Sequence, residues 1–121
     1  MLRSILDTAP RTEPLIRIYP NYITFNAPAA RLLGFKKDGV VSIMQDDRDG
    51  YLYVANCRTK QSYPLVMRNN TFLVRNVELC NKLAERLEGF GTYRISKDVT
   101  LLDYNDNKYY NIFKKKYGKD K

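Results

Sequence analysis

Four strand-like segments follow one another in the middle of the chain with only turns between them. They are Val40–Gln45, Tyr51–Asn56, Ser62–Arg68 and Thr71–Arg75. Short turns return the chain beside the strand that it has just left, so consecutive strands pair as antiparallel hairpins. A parallel sheet would need a crossover, usually a helix, between successive strands. The order of segments therefore predicts an antiparallel sheet.

Further strand-like segments lie on either side of this central run. Leu15–Phe25 alternates as a strand does, but Pro20 lacks an amide hydrogen and is expected at an edge or a bulge. Near the C-terminus, Thr92–Ile95, with an extension towards Leu102, and Lys108–Phe113 have the composition of strands. Together with the central run they predict six to seven strands.

Two segments carry helix signals. Asn26 is a suitable N-cap for a short helix that Gly34 ends. Asn76 caps a longer helix that ends near Gly89. Its apolar side chains recur at helical spacing, which predicts a buried face; they are Leu79, Cys80, Leu83, Ala84 and Leu87.

These elements predict a single α+β domain over residues 15–113, with a curved antiparallel sheet and one short and one longer helix. Residues 1–14 hold two prolines without a clear period and predict a flexible N-terminal arm. Residues 114–121 predict a basic C-terminal tail.

The composition disfavours several kinds of site. The chain has no histidine, so the most common general base and the imidazole metal ligand are missing. Its two cysteines, Cys57 and Cys80, are too few for a structural zinc site; we expect reduced thiols, with a disulfide left open. No glycine-rich phosphate loop or nucleophile-elbow motif occurs. We therefore predict a protein that is not an enzyme and holds neither a metal nor a cofactor; catalysis by carboxylate, lysine or tyrosine side chains is the alternative left open.

Two further expectations concern location. No apolar run reaches the roughly 18–20 residues that a membrane-spanning helix needs, so we expect no membrane partner. The first residues lack the long uncharged stretch of a secretory leader. The prediction is a cytoplasmic protein.

The segment Asp46–Gly50 clusters carboxylates before a glycine, as calcium loops do. The spacing does not fit an EF-hand, because the glutamate expected six residues after the glycine is replaced by Asn56. A solvent-exposed hairpin turn is the favoured interpretation.

Positive charge is concentrated at the C-terminal end. Residues 108–121 carry six lysines and one aspartate, a net charge of +5 out of +8 for the whole chain. Such a segment attracts polyanions whatever fold carries it. The predicted phosphate contacts here are Lys108, Lys114, Lys115, Lys116 and Lys119. The alternative is a solvated terminus without a partner.

Ten tyrosines are present, and some adjoin these lysines. Single-strand binders stack bases on aromatic rings while cations follow the phosphates. Tyr109 and Tyr110 are therefore predicted to contact nucleic acid. The alternatives are that the tyrosines cover the core and expose only their hydroxyl groups, or that they form an oligomer contact.

Residues 18–43 contain a strand, a short helix that ends in Leu-Leu-Gly, a turn and another strand. This order resembles the unit of AbrB/MazE-type swapped-hairpin transcription factors, although the helix lacks the Ile-Pro start usual in that family. There, two units interlock as a dimer and basic side chains contact DNA. The resemblance implies a homodimer with Arg31, Lys36 and Lys37 as DNA contacts. The remaining strands and the second helix have no counterpart in that unit.

The leading hypothesis is thus a small, non-enzymatic nucleic-acid-binding protein, with a regulatory role. The alternative is a protein–protein interaction or assembly module without a nucleic-acid ligand. Salt dependence separates them, because contacts to phosphates weaken steeply with salt and apolar contacts do not.

The composition also yields a prediction about metal. Treatment with EDTA should leave the thermal unfolding midpoint unchanged, because the chain has no histidine and only two separated cysteines. Differential scanning calorimetry with and without chelator measures this. A fall of several degrees would show that the acidic turn, or another site, holds a stabilising cation.

Overall fold

The computed structural model describes residues 13–60, 62–102 and 106–117. Most of the predicted N-terminal arm, and Lys119 with the last part of the predicted tail, lie outside the described residues. The described chain forms two helices and ten strands. The strands are β1 Leu15–Ile18, β2 Ile23–Phe25, β3 Val40–Gln45, β4 Leu52–Ala55, β5 Ser62–Pro64, β6 Val66–Arg68, β7 Thr71–Val74, β8 Gly91–Ile95, β9 Leu101–Leu102 and β10 Lys108–Lys116. The helices are α1 Ala27–Leu33 and α2 Val77–Arg86.

Nine of the strands form a nearly closed antiparallel barrel in the order β5-β3-β4-β10-β8-β1-β2-β7-β6, and β9 pairs with β10 beside it. The predicted curved sheet of six to seven strands was therefore wrong. Two segments that were each predicted as one strand are two strands in the structure. Leu15–Phe25 is a hairpin with Pro20 in its turn, and Ser62–Arg68 is divided at Leu65 into β5 and β6.

Leu65 joins the two ends of the strand order. On one side of it, Tyr63 pairs with Val41 of β3, and on the other, Val66 pairs with Leu73 of β7. Leu65 itself is buried, and its amide donates to the carbonyl of Gly39 at 2.9 Å. The backbone thus passes from one end of the sheet to the other within a single residue.

Side chains at every second strand position fill the barrel, because successive side chains of a strand point to opposite faces of the sheet. Those that the strands contribute to the main core are Ile16, Ile18, Ile23, Phe25, Val41, Ile43, Leu52, Val54, Val74, Tyr93, Ile95, Tyr110 and Ile112. Both helices add to the same core, through Ala29 and Leu33 of α1 and Leu79, Cys80 and Leu83 of α2.

Three of the four predicted helix-end signals are confirmed, whereas α2 ends at Arg86 with Leu87 as its C-cap, before the predicted end near Gly89. The Asn26 side chain accepts a hydrogen bond from the Ala29 amide, and Gly34 ends α1 in the left-handed conformation with φ 69°. The Asn76 side chain accepts one from the Leu79 amide in the same way. The helices have seven and ten residues, and no helix among the described residues is long and apolar enough to span a membrane.

The buried face of α2 gives a prediction about stability. Leu83→Ala should lower the free energy of unfolding by about 2–5 kcal/mol, because Leu83 is 3% exposed in the main core and its loss leaves a cavity. Urea denaturation followed by circular dichroism measures the change. Val77→Ala is the matched control on the same helix, since Val77 is 53% exposed. A cost below about 1 kcal/mol for Leu83→Ala would mean that α2 does not pack on the barrel as described.

Candidate functional site

A surface groove of about 610 Å³ follows the outer face of β2 and β7. A second depression of about 430 Å³ adjoins it over β1 and shares Tyr19, Thr24 and Thr71 with it. The charged residues that line these two depressions are Arg68 and Arg75 in the first and Arg17 in the second. We therefore call the two depressions together the arginine groove.

Strand alternation points these side chains outwards. Ile16 and Ile18 are buried in the barrel, so Arg17 between them lies on the outer face and is exposed. Arg17 pairs in register with Thr24, and Thr24 pairs with Leu73 on the next strand. The floor of the groove is therefore a row of neighbouring positions across β1, β2 and β7.

Two tyrosine rings stack at one end of the groove. Tyr19 and Tyr22 flank the turn between β1 and β2, and the Tyr19 amide donates to the Tyr22 carbonyl at 2.9 Å. Their ring centroids are 4.5 Å apart with an angle of 22° between the planes. The guanidinium carbon of Arg17 lies 5.0 Å from the centroid of the Tyr19 ring. A cation and two aromatic rings are thus brought together on the surface.

The groove is positively charged. Arg75 directly follows Val74, the partner of Ile23, which places it beside Tyr22. Arg68 pairs with Thr71 across the next turn, and Arg17, Arg68 and Arg75 are all exposed. Within the described part of the chain, no aspartate or glutamate lines the groove and none forms an ion pair with these three arginines.

The predicted lysines at the end of β10 lie near the groove but do not line it. The strand runs to Lys116, so the predicted domain boundary between residues 113 and 114 falls inside β10. The Tyr117 amide donates to the carbonyl of Thr92, which pairs with Arg17 and lines the groove. The end of β10 is therefore two strand spacings, roughly 10 Å, from Arg17.

Lys116 is held at this position by its surroundings. Its aliphatic stem packs over Gly91, where an added Cβ would lie 3.1 Å from Lys116 Cε. Its amide donates to Glu88 Oε1 at 3.1 Å, which also places a carboxylate near this lysine. Lys114 and Lys115 are exposed on the same strand end.

The other predicted contacts lie elsewhere. Lys108 stands at the opposite end of β10, eight residues from Lys116 and so roughly 26 Å away. It lines a different depression, together with Gly34 at the end of α1. Arg31 is exposed in the last turn of α1, and Lys36 and Lys37 are exposed in the connection that follows it. None of these four residues lines the arginine groove.

Tyr109 and Tyr110 are buried, at 9% and 7% exposure. Tyr110 belongs to the main core, while Tyr109 packs on the outside of the barrel in a second cluster with Tyr53 and Ala55. The Tyr109 hydroxyl lies 3.7 Å from the sulfur of Cys57, which is a free thiol. Neither ring offers an open face for a base in this conformation.

The acidic segment forms a compact turn. Asp46 accepts a hydrogen bond from the Arg48 amide and pairs with its guanidinium at 3.2 Å; the latter hydrogen bond lowers the pKa of Asp46. Asp49 accepts from the hydroxyl of Tyr53, and burial together with this bond raises the pKa of Tyr53 to about 12. Both carboxylates thus have partners within the β3–β4 hairpin. Among the described residues, no three acidic or cysteine side chains converge as metal ligands would.

The arginine groove was not predicted from the sequence. The alternation of Leu15, Arg17 and Tyr19 on one face of a strand was a usable signal, as was that of Thr71, Leu73 and Arg75. Neither pattern shows by itself that β1, β2 and β7 are neighbours, and only that pairing brings the arginines together.

The chain matches no family model, no curated protein and no solved structure. The resemblance of residues 18–43 to AbrB/MazE-type units therefore stays a prediction, as does the homodimer that it implies.

The exposure of the groove arginines predicts that they are not required for folding. The double variant Arg68→Gln/Arg75→Gln should change the free energy of unfolding by no more than about 0.5 kcal/mol per site, because neither side chain has a described ion pair to lose. Thermal unfolding followed by circular dichroism measures this. A loss above about 2 kcal/mol would assign these arginines a structural role instead.

Proposed function

We propose that this protein binds nucleic acid non-enzymatically through the arginine groove and the lysines at the end of β10. The observation that carries the proposal is the composition of the groove: three exposed arginines and a stacked tyrosine pair, with no described carboxylate among the lining residues. Guanidinium groups suit phosphate because their planar array of donors matches phosphate oxygens, and tyrosine rings suit bases.

The electrostatics support the same ligand. The chain carries a net charge of +8, and Lys114, Lys115 and Lys116 lie on β10, which β8 separates from β1. Clustered cations attract a polyanion over several ångströms and orient it before contact. Arg94, exposed on β8 opposite Leu15, adds one more cation between the two parts.

The proposed interface is centred on different residues from those predicted from the sequence. The groove arginines and the β10 lysines form its core, whereas Lys108, Arg31, Lys36 and Lys37 are peripheral to it. A regulatory role, a homodimer and a cytoplasmic location belong to the proposal only as sequence-based predictions. The free thiols of Cys57 and Cys80 suit a reducing compartment.

Salt dependence tests the proposal. Fluorescence anisotropy with labelled DNA and RNA should show that the logarithm of the association constant falls linearly with the logarithm of salt concentration. Each lost phosphate contact flattens the slope by about 0.7 for single strands and 0.9 for duplex. Arg68→Gln/Arg75→Gln should therefore flatten it by up to roughly 1.4–1.8 units, and Lys114→Gln/Lys115→Gln/Lys116→Gln by up to roughly 2–3 units.

The control removes the same charge elsewhere. Arg48→Gln/Lys82→Gln also lowers the net charge by two, but these cations pair with Asp46 and Glu78 outside the groove. It should leave the slope unchanged. If the intact protein shows no salt-sensitive affinity for any nucleic acid at low ionic strength, the proposal fails and an assembly module becomes the better account.

A further inference from the structure

The half-buried rings of Tyr19 and Tyr22 lie outside both buried clusters of the barrel. Tyr53, Tyr93, Tyr109 and Tyr110 lie in one or other of the two buried clusters, and Tyr63 packs against the main core. Tyr19 and Tyr22 belong to neither cluster and pack against neither. Their rings instead stack on one another at the edge of the arginine groove. These two tyrosines are therefore surface aromatics with an ordered arrangement.

From this arrangement, and resting on the proposed function, we propose that the ligand is a single-stranded nucleic acid with an unpaired base stacked on the outer face of Tyr22. Tyr19 lies between Tyr22 and the Arg17 guanidinium, so it supports the Tyr22 ring and does not itself receive a base. Arg17 and Arg75 flank the pair, one near the Tyr19 ring and the other beside Tyr22. Phosphates on either side of a stacked base then face a guanidinium. Alternating aromatic and cationic contacts are how single strands are bound without regard to sequence.

The aromatic ring beside the arginines favours a single strand over a duplex. A duplex keeps its bases paired and stacked inside, so only its backbone and groove edges reach a protein surface. Its phosphates could contact the arginines, but the tyrosine rings would have no base faces to meet. Unstacked bases supply those faces.

Three ligands separate the contributions of base and phosphate. The probes are fluorescein-labelled dT12, a 12-mer of abasic deoxyribose phosphate, and a 12-base-pair dA·dT duplex. Stacking requires bases, so dT12 should bind about tenfold or more tightly than the abasic strand at the same salt concentration. It should also bind more tightly than the duplex. An rU12 arm distinguishes RNA from DNA as the preferred strand.

Substitution of one ring tests the residue assignment. Tyr22→Leu keeps apolar bulk but removes most of the stacking, so it should weaken dT12 binding about tenfold and leave abasic binding and the salt slope unchanged. Tyr63→Leu is the matched control, because Tyr63 is half-buried like Tyr22 but lies on β5, outside the groove and away from the β10 lysines. It should have little effect.

A tryptophan at the same position gives a direct readout. The chain contains no tryptophan, so Tyr22→Trp introduces the only one and preserves an aromatic ring. Its fluorescence should be quenched by dT12 and hardly changed by the abasic strand. This variant should also retain the affinity that Tyr22→Leu loses, which shows that the loss is not caused by misfolding of the turn.

The outcomes distinguish this inference from the function on which it rests. Absence of salt-sensitive binding to every probe overturns the proposed function. Salt-sensitive binding that is equal for dT12, the abasic strand and the duplex, and that Tyr22→Leu does not change, leaves the proposed function standing and overturns the single-strand inference. In that case the tyrosine pair only stabilises the turn between β1 and β2.

Discussion

The change of pairing partner at Leu65 is the constraint on which the architecture depends. Residues 62–64 pair with β3 and residues 66–68 pair with β7, so one short stretch of chain contributes both ends of the strand order. An open sheet would leave two long rows of unpaired amide and carbonyl groups. Here the two outermost strands have only three residues each. Near-closure thus removes most of the free sheet edge and creates an interior that side chains can fill.

The packing of the barrel interior determines which residues lie on the outer surface. Because the strands place alternate residues inside, the residues between them must face outwards. These include Arg17 on β1, Thr24 on β2 and Arg75 directly after β7, of which the two arginines are exposed and Thr24 is half-buried. The opposite side of the barrel differs. There Tyr53, Ala55 and Tyr109 form a second apolar cluster on the outer face. The two sides of the barrel therefore differ in polarity.

The same closure places the basic end of the chain. β10 lies between β4 and β8, and its last residues pair beside β8 with a shift of register after Ile112. The register shift adds residues to β10 relative to β8 and bends the strand locally. As a result Lys114–Lys116 are held as part of the sheet, two strands from β1. Lysines on a paired strand are held in a defined position, whereas lysines on a solvated tail are not.

The sequence by itself determined the local structure. Asparagine side chains cap both helices, and Asn69 and Asn70 adopt positive φ of 53° and 63° in a two-residue turn, because these preferences depend only on neighbouring backbone atoms. The sequence did not determine which face of β10 points into the barrel. Tyr109 and Tyr110 are adjacent and are both buried, on opposite faces of the strand, so alternation alone does not identify the face that packs on the main core.

Closure of the barrel and assembly of the arginine groove were decided only by tertiary structure. Arg17 and Arg75 are far apart along the chain, and they share a surface because β2 pairs with β1 on one side and with β7 on the other. Such pairing depends on how all the apolar faces are buried together. No local pattern contains that information, because burial is a property of the whole packed core.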